Sequence, residues 1–295
     1  MLRRERIAAV VVTFHPDELL PDRLERLSRQ VASLIVVDND SGDAAVAMLR
    51  GIASRQGAKL RLNPANLGIA AALNIGMGTA IADGYEWALL LDQDTVVGDD
   101  IVETLSAVYE AFAEKERLAL IGSNHRDPIS GELFLRGRSD DHSSWREVKT
   151  AITSGSLIPR SSYEAIGPFR EEFFIDCVDI EYCLRARALG FKVIMARKPL
   201  MQHSIGTVTM HRLPWKSVAA SNHSPARRYY MTRNQVVLAR EYLWKEPGWA
   251  FTTMYSHLKS TTAVCVLEKD VLRKLKYTAI GVLDGLCSNF SRHPG

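Results

Sequence analysis

Four strand-length runs, each ending at a polar residue or turn and each separated from the next by a helical pattern, fill the first hundred residues of this chain. Ile7-Ala-Ala-Val-Val-Val-Thr-Phe14 runs up to His15-Pro16, and Leu34-Ile-Val-Val37 up to Asp38-Asn-Asp. Lys59 to Leu62 stops at Asn63-Pro64, and Trp87-Ala-Leu-Leu-Leu91 stops at Asp92-Gln93-Asp94. Between them, Glu18 to Val31, Ala44 to Gln56 and Gly68 to Ala82 carry helical spacing. Runs that are apolar on both faces, alternating with helices, predict a parallel sheet covered on both sides. Ligands of such sheets bind at the carboxyl ends of the strands. Thr13, Asp38 and the Asp92/Asp94 pair stand at three of those ends. Aspartate is a common turn residue, which explains any one of them. Three at one topological edge predict a binding cleft.

The rest of the chain continues the pattern less regularly. Asp99 to Glu116 reads as helix and Leu118 to Ile121 as strand, and residues 124–146 form a polar hairpin or loop. Ile152 to Ile158 returns to strand character, Ser161 to Ile166 to helix. The acidic run Asp176-Cys-Val-Asp179-Ile-Glu181 opens a helix that ends near Ala188, and a strand follows over Phe191 to Met195. Helical patterns dominate from Pro225 to Tyr242 and again beyond Trp249. The fold class expected is therefore α/β, with a Rossmann-like, mostly parallel central sheet flanked by helices and a C-terminal helical extension. Domain limits are expected at 1–240 for the main domain, in halves 1–123 and 124–240, with 241–295 as the extension.

Composition excludes several classes. With 46% hydrophobic and 24% charged residues, the chain is neither disordered nor fibrous. The four cysteines show no CxxC pair, which suits reduced thiols and a cytoplasmic chain. The basic N-terminal tip leads to an apolar run too short for a signal peptide, and no 18-residue apolar stretch suits a membrane span. Net charge is only +3, but eleven Lys/Arg and no Asp/Glu lie between Tyr182 and Arg240. That stretch predicts a surface facing phosphates of a substrate or lipid headgroup.

Five groups of residues carry candidate chemistry. Asp92-x-Asp94, on a turn after a buried strand, can bind a hard divalent cation through oxygen. Asn66-x-Gly68 and Asn74-x-Gly76, on a Gly/Ala-rich helix, permit either close approach of a pyrophosphate or close helix–sheet packing. Among Asp176, Asp179 and Glu181, one carboxylate can serve as general base toward an acceptor hydroxyl; spacing does not choose among them. His203 can supply a neutral imidazole to a cation. On the last helix before residue 240, Arg228, Tyr229 and Arg233 can grip phosphate or contact a sugar.

Taken in order, Val11-Val-Thr-Phe14, Val36-Val-Asp-Asn39, Asn66-Leu-Gly-Ile-Ala70, Asn74-Ile-Gly76, Leu89-Leu-Leu-Asp-Gln-Asp94, Thr153-Ser-Gly-Ser156, Phe173-Phe-Ile-Asp-Cys-Val-Asp-Ile-Glu-Tyr182 and His203-Ser-Ile-Gly206 resemble the inverting family 2 glycosyltransferases of the GT-A fold, specifically bacterial rhamnosyltransferases. The resemblance implies a metal-dependent transfer of L-rhamnose from dTDP-β-L-rhamnose, with inversion, to a hydroxyl of a bacterial surface glycan or lipid-linked acceptor. It implies nucleotide-sugar contacts from Thr13, Asp38, Asn66, Gly68, Asn74, Asp92 and Gln93. Mg²⁺ or Mn²⁺ would be held by Asp94 with Asp92 and His203, and Asp179 aligns with the family's base. The family often has Glu-Asp where this chain has Val178-Asp179, so Asp176 stays open as a second acid contacting the acceptor. A UDP-hexose donor and a non-catalytic nucleotide-sugar-binding protein are the alternatives. No nucleic-acid-binding signature is present, so no such partner is expected. The basic, amphipathic C-terminal helices read either as a peripheral contact with the inner membrane face or as packing against the main domain or a second subunit.

Overall fold

The computed structural model describes residues 2–127, 131–135, 143–202, 209–213, 216–220 and 222–294. These fall into two compact units: one of residues 1–171 and 179–204, the other of residues 172–178 and 205–295.

The first unit is built on β1 (Ile7–Thr13), α1 (Leu20–Ser28), β2 (Ser33–Asp38), α2 (Asp43–Gln56), β3 (Lys59–Leu62), α3 (Ile69–Ala82) and β4 (Trp87–Asp92). β5 (Val96–Val97), α4 (Ile101–Ala111), β6 (Leu118–Arg126), β7 (Trp145–Val148), β8 (Ser156–Pro159), α5 (Arg160–Ile166), α6 (Val178–Ala188) and β9 (Lys192–Gln202) follow. Strand order is β3-β2-β1-β4-β8-β6-β9-β5, with β7 paired to β9. β3, β2, β1 and β4 are mutually parallel, as are β6 and β9, while β8, β5 and β7 run antiparallel to their neighbours. Thus the mostly parallel, helix-flanked sheet expected from the apolar runs is present. Its chain order turns back at β1, between β2 and β4, which is where a cleft opens in such sheets.

β1 shows why the first run is apolar throughout. Ile7, Ala9 and Val11 pack into a cluster with Leu20, Leu24 and Leu27 of α1 and Ile101 and Leu105 of α4. The other face meets α3, where a Cβ built on Gly76 would lie 2.1 Å from Val10 Cγ1. Gly76 is therefore a packing glycine. Gly76→Ala gains about 1 kcal/mol of helix propensity, but forces buried Val10 to move, an overpacking cost of about 1–3 kcal/mol. The clash should win, and thermal unfolding of the variant is expected at a lower midpoint.

The second unit contains the pair β10 (Thr209–Leu213) and β11 (Lys216–Ala220), antiparallel, and three helices: α7 (Pro225–Tyr242), α8 (Pro247–Leu267) and α9 (Val271–Leu286). α7 starts on a Ser224 cap, whose Oγ accepts the Arg227 N–H, with Pro225 in the first turn. α9 approaches α7 closely through two glycines: a Cβ on Gly281 would meet the Tyr229 carbonyl at 2.8 Å, and one on Gly285 the Arg233 carbonyl at 2.8 Å. Because α7 packs on α8 and α9, the boundary falls near 204, not at the expected 240.

Glu268, at the end of α8, is buried with Lys274 at 2.8 Å and Arg228 at 3.6 Å. Burial pushes its carboxyl up. The Lys274 bond, the Asn222 N–H and the Arg228 charge outweigh this and hold it below the usual carboxylate range. A depressed folded pKa contributes stability above the unfolded value that is lost as pH falls through the folded one. Acid titration of unfolding should therefore show a loss below about pH 4.5 that Glu268→Gln removes, along with part of the stability at neutral pH. Among the described residues, no helix is long and apolar enough to cross a membrane. All four cysteines are free thiols, Cys177 and Cys183 buried, Cys265 and Cys287 exposed.

Candidate active site

The sheet registers bring three of the expected residues to one edge of the first unit. Thr13 pairs with Asp38 across β1–β2, and Val12 with Asp92 across β1–β4. Thr13 Oγ1 donates to Asp38 Oδ1 at 2.7 Å, and Ser41 donates to the same oxygen through Oγ (2.5 Å) and to Oδ2 through its N–H (3.0 Å). Both Thr13 and Asp38 are buried, so this knot fixes the ends of β1 and β2 and leaves Asp38 little acceptor capacity for a ligand.

The Asp92-Gln-Asp turn is held from two sides. Ser154 Oγ accepts the Asp92 N–H at 3.1 Å and shares a 2.6 Å hydrogen bond with Thr95 Oγ1. Gln93 spans the β1–β4 gap: its Oε1 accepts the Phe14 N–H (2.8 Å) and its Nε2 donates to the Phe14 carbonyl (3.0 Å). Gln93 thereby acts as a strut. Asp92 is half-buried and Asp94 exposed. β9 ends at Gln202 opposite Val96, two residues beyond Asp94. His203 lies outside the described residues.

Around this edge stand groups that sequence reading passed over. Phe14 and His15 follow β1 directly, exposed, with ring centroids 4.2 Å apart, a surface on which a base can stack. Ser41 and Ser154 set the two turns. Two exposed aromatics immediately past a buried strand were the available signal.

The Gly/Ala-rich helix resolves in favour of packing at one asparagine and of loop geometry at the other. Asn74 spends both ends of its amide inside the first unit: Nδ2 donates to the Phe169 carbonyl and Glu171, and Oδ1 accepts from Tyr163 and the Phe169 N–H, all at 2.8–2.9 Å. It holds the turn after α5 and has no capacity left for a nucleotide, contrary to the expectation. Asn66 Oδ1 accepts the Gly68 N–H at 2.9 Å, and Gly68, at φ +84°, starts α3 in a conformation that favours glycine.

In the acidic run, Glu181 and Asp176 are each gripped by an arginine. Glu181 receives two bonds from Arg185 (2.8 and 2.9 Å) in the first unit. In the second unit, Asp176 receives two from Arg227 (3.1 Å each). Asp179 sits half-buried in the first turn of α6, with Oδ1 accepting the Ile180 N–H at 2.8 Å.

Arg228, Tyr229 and Arg233, expected to face phosphate or acceptor, are buried inside the second unit. Arg228 bonds Ser260 and pairs with Glu268, and the Tyr229 hydroxyl donates to Asp284. Arg233 Nη2 donates to the carbonyls of Glu172 (2.7 Å) and Phe173 (3.3 Å). Its neighbour Asn234 donates from Nδ2 to the carbonyls of Phe173, Ile175 and Asp176, each at 2.9 Å. The segment they hold is strained: Phe174, Asp176 and Cys177 have φ of +60°, +66° and +63°, about 1–3 kcal/mol each for non-glycine residues.

The acid-free stretch differs from expectation for the same reason. Arg185, Lys192, Lys198, Arg227 and Arg228 pair with Glu181, Glu114, Asp100, Asp176 and Glu268. These five cations find their anions within their own units.

A cation at the Asp92-Gln-Asp turn would meet hard oxygen donors, the chemistry Mg²⁺ and Mn²⁺ require. Among the described residues, no three His, Cys, Asp or Glu side chains gather closely enough to hold a metal by themselves. The two carboxylates are of the donor type such a cation takes.

A parallel sheet turning back at β1, carboxylates at its carboxyl edge and a third acidic group opening α6 are features of a sugar-nucleotide transferase. The family 2 glycosyl transferase profile matches residues 8–169, and the chain belongs to that family. It is 27% identical over 95% of its length, and 95% of the relative's, to the dTDP-rhamnosyl transferase RfbF of Shigella flexneri. It is 30% identical over 83% of its length to the galactofuranosyltransferase GlfT1 of Mycobacterium tuberculosis, covering 84% of that protein. Among solved structures, S. aureus TarS 1–349 in complex with UDP-GlcNAc aligns over 97% of this chain and 88% of its own at TM-score 0.58 and 12% identity. The Pyrobaculum calidifontis mannosyltransferase PcManGT, with GDP-Man and Mn²⁺, aligns at TM-score 0.56 and 14% identity, over 97% of this chain and 87% of its own. These likenesses show a GT-A-like fold.

Proposed function

We propose that the chain transfers L-rhamnose from dTDP-β-L-rhamnose to a hydroxyl of a bacterial surface glycan or lipid-linked glycan, inverting the anomeric centre. The observation that carries this reading is near full-length similarity to a dTDP-rhamnosyl transferase, combined with the acidic edge at β1 and β4. In the proposed reaction Asp179 accepts the proton of the acceptor hydroxyl as its oxygen attacks C1. The C1–O bond to the diphosphate breaks in the same displacement, giving an α-linked product and dTDP. Phe14 and His15 offer a stacking surface to the base. Asp94 and Asp92, with His203, would hold Mg²⁺ or Mn²⁺. When bound, the metal supplies positive charge against the departing diphosphate. Ser154 and Gln93 keep the two carboxylates oriented.

The galactofuranosyltransferase similarity favours a second reading, a UDP-galactofuranose donor. A panel of dTDP-L-rhamnose, UDP-galactofuranose, UDP-glucose and UDP-GlcNAc, followed by nucleotide release and product mass, decides between them. Release from dTDP-L-rhamnose alone is expected; preference for a UDP sugar would overturn the donor assignment, and release from none would favour a non-catalytic binding protein. Peripheral contact with the inner face of the membrane and self-association belong to the same reading. Phe251, Tyr255 and Leu258, exposed on α8, are among the apolar side chains available for either.

A further inference from the structure

We infer that Asn234 and Arg233 are positioning residues for catalysis: by gathering the carbonyls of residues 172–176 they fix the strained segment from which the helix bearing Asp179 starts. The inference rests on Asp179 being the base.

Four of the five consecutive carbonyls from Glu172 to Asp176 are taken up by two adjacent side chains of α7. Arg233 Nε in turn donates to Asn234 Oδ1 at 3.0 Å, which orients the amide so that Nδ2 faces the segment. Three ring systems hold the guanidinium, with Tyr229, Tyr230 and Phe290 centroids 5.4, 5.1 and 5.0 Å from Cζ. Phe290 also stacks on Phe173 at 6.2 Å, and Tyr230 on Phe174 at 5.0 Å. So much machinery converges on a segment with two left-handed non-glycine residues, Phe174 and Asp176, followed directly by a third, Cys177, because that backbone would otherwise relax. Cys177 and Val178 then lead straight into Asp179. A shift of the segment is passed along the chain to the first turn of α6. A misplacement of about 1 Å at a reacting group can cost on the order of a hundredfold in rate.

The test uses the full chain, Mg²⁺ and the sugar nucleotide selected by the donor panel, with water as acceptor. Asn234→Asp keeps shape and the acceptor for Arg233 but removes the donor to three carbonyls. Expected are donor affinity within about twofold of wild type by calorimetry and kcat lower by roughly ten- to a hundredfold. The double variant with Asp179→Asn should be no slower than Asp179→Asn alone, because groups acting through one another are not additive. Wild-type kcat in Asn234→Asp, or a loss that multiplies with that of Asp179→Asn, overturns the inference while leaving the base intact. Full turnover in Asp179→Asn overturns the base assignment and the inference with it. If Asn234→Asp does not fold, Arg233→Lys, which keeps the charge but loses the fork, is judged by the same criteria. Loss of donor binding together with turnover in both variants would assign the pair a merely structural role.

Discussion

Asp179→Asn is expected to fold, bind donor as the wild type does, and lose about 10²–10⁴-fold in transfer, the usual contribution of a positioned general base. The substitution keeps the volume and the acceptor oxygen that meets the Ile180 N–H, so α6 should start as before. What is lost is the ability to take a proton. The two neighbouring acids should behave differently. Glu181→Gln breaks a two-bond pair with Arg185, whose Nη1 and Nη2 also hold the carbonyls of Ile166 and Pro168, so stability should fall first. Steady-state kinetics beside thermal unfolding separates the cases. Transfer within about tenfold of wild type in Asp179→Asn, far short of a base's usual share, would refute the assignment.

Asp94→Ala should be nearly as damaging. A cation set against a departing diphosphate is worth several kcal/mol, so removing its principal carboxylate should lower kcat/KM by at least about a hundredfold. EDTA should do the same to the wild type. Restoring Mg²⁺ or Mn²⁺ should rescue the wild type but leave Asp94→Ala slow. EDTA-treated wild-type protein turning over at full rate would rule the cation out. Asp92→Asn should give a smaller loss: its backbone N–H still bonds Ser154, which preserves the turn that presents Asp94.

The sheet could be read in the sequence where burial on both faces leaves an uninterrupted signal. β1, β2 and β4 are such runs, and the polar residue ending each is an edge residue by position alone. β5, two residues long, and β7, whose side chains are half-buried or exposed, carry no comparable pattern. The small residues of α3 could not decide between ligand and packing, since both demand the same amino acids; only the 2.1 Å approach to Val10 does. Charge misled for a related reason. A run without acids says nothing about acids brought to it by folding, and Glu114 and Asp100 arrive from some eighty to a hundred residues away to meet Lys192 and Lys198. Helical spacing put Arg233 and Asn234 on α7 without revealing that their partners are backbone carbonyls about sixty residues upstream.

Residues 172–178 cluster with a unit otherwise made of residues 205–295, so no single cut in the chain separates the two bodies. A fragment ending near 204 would keep this heptapeptide but shed the helix that reads its carbonyls. Hybrid proteins that exchange C-terminal helices between relatives should therefore transplant this heptapeptide together with the helices. A swap at one junction would mismatch a lock and its key.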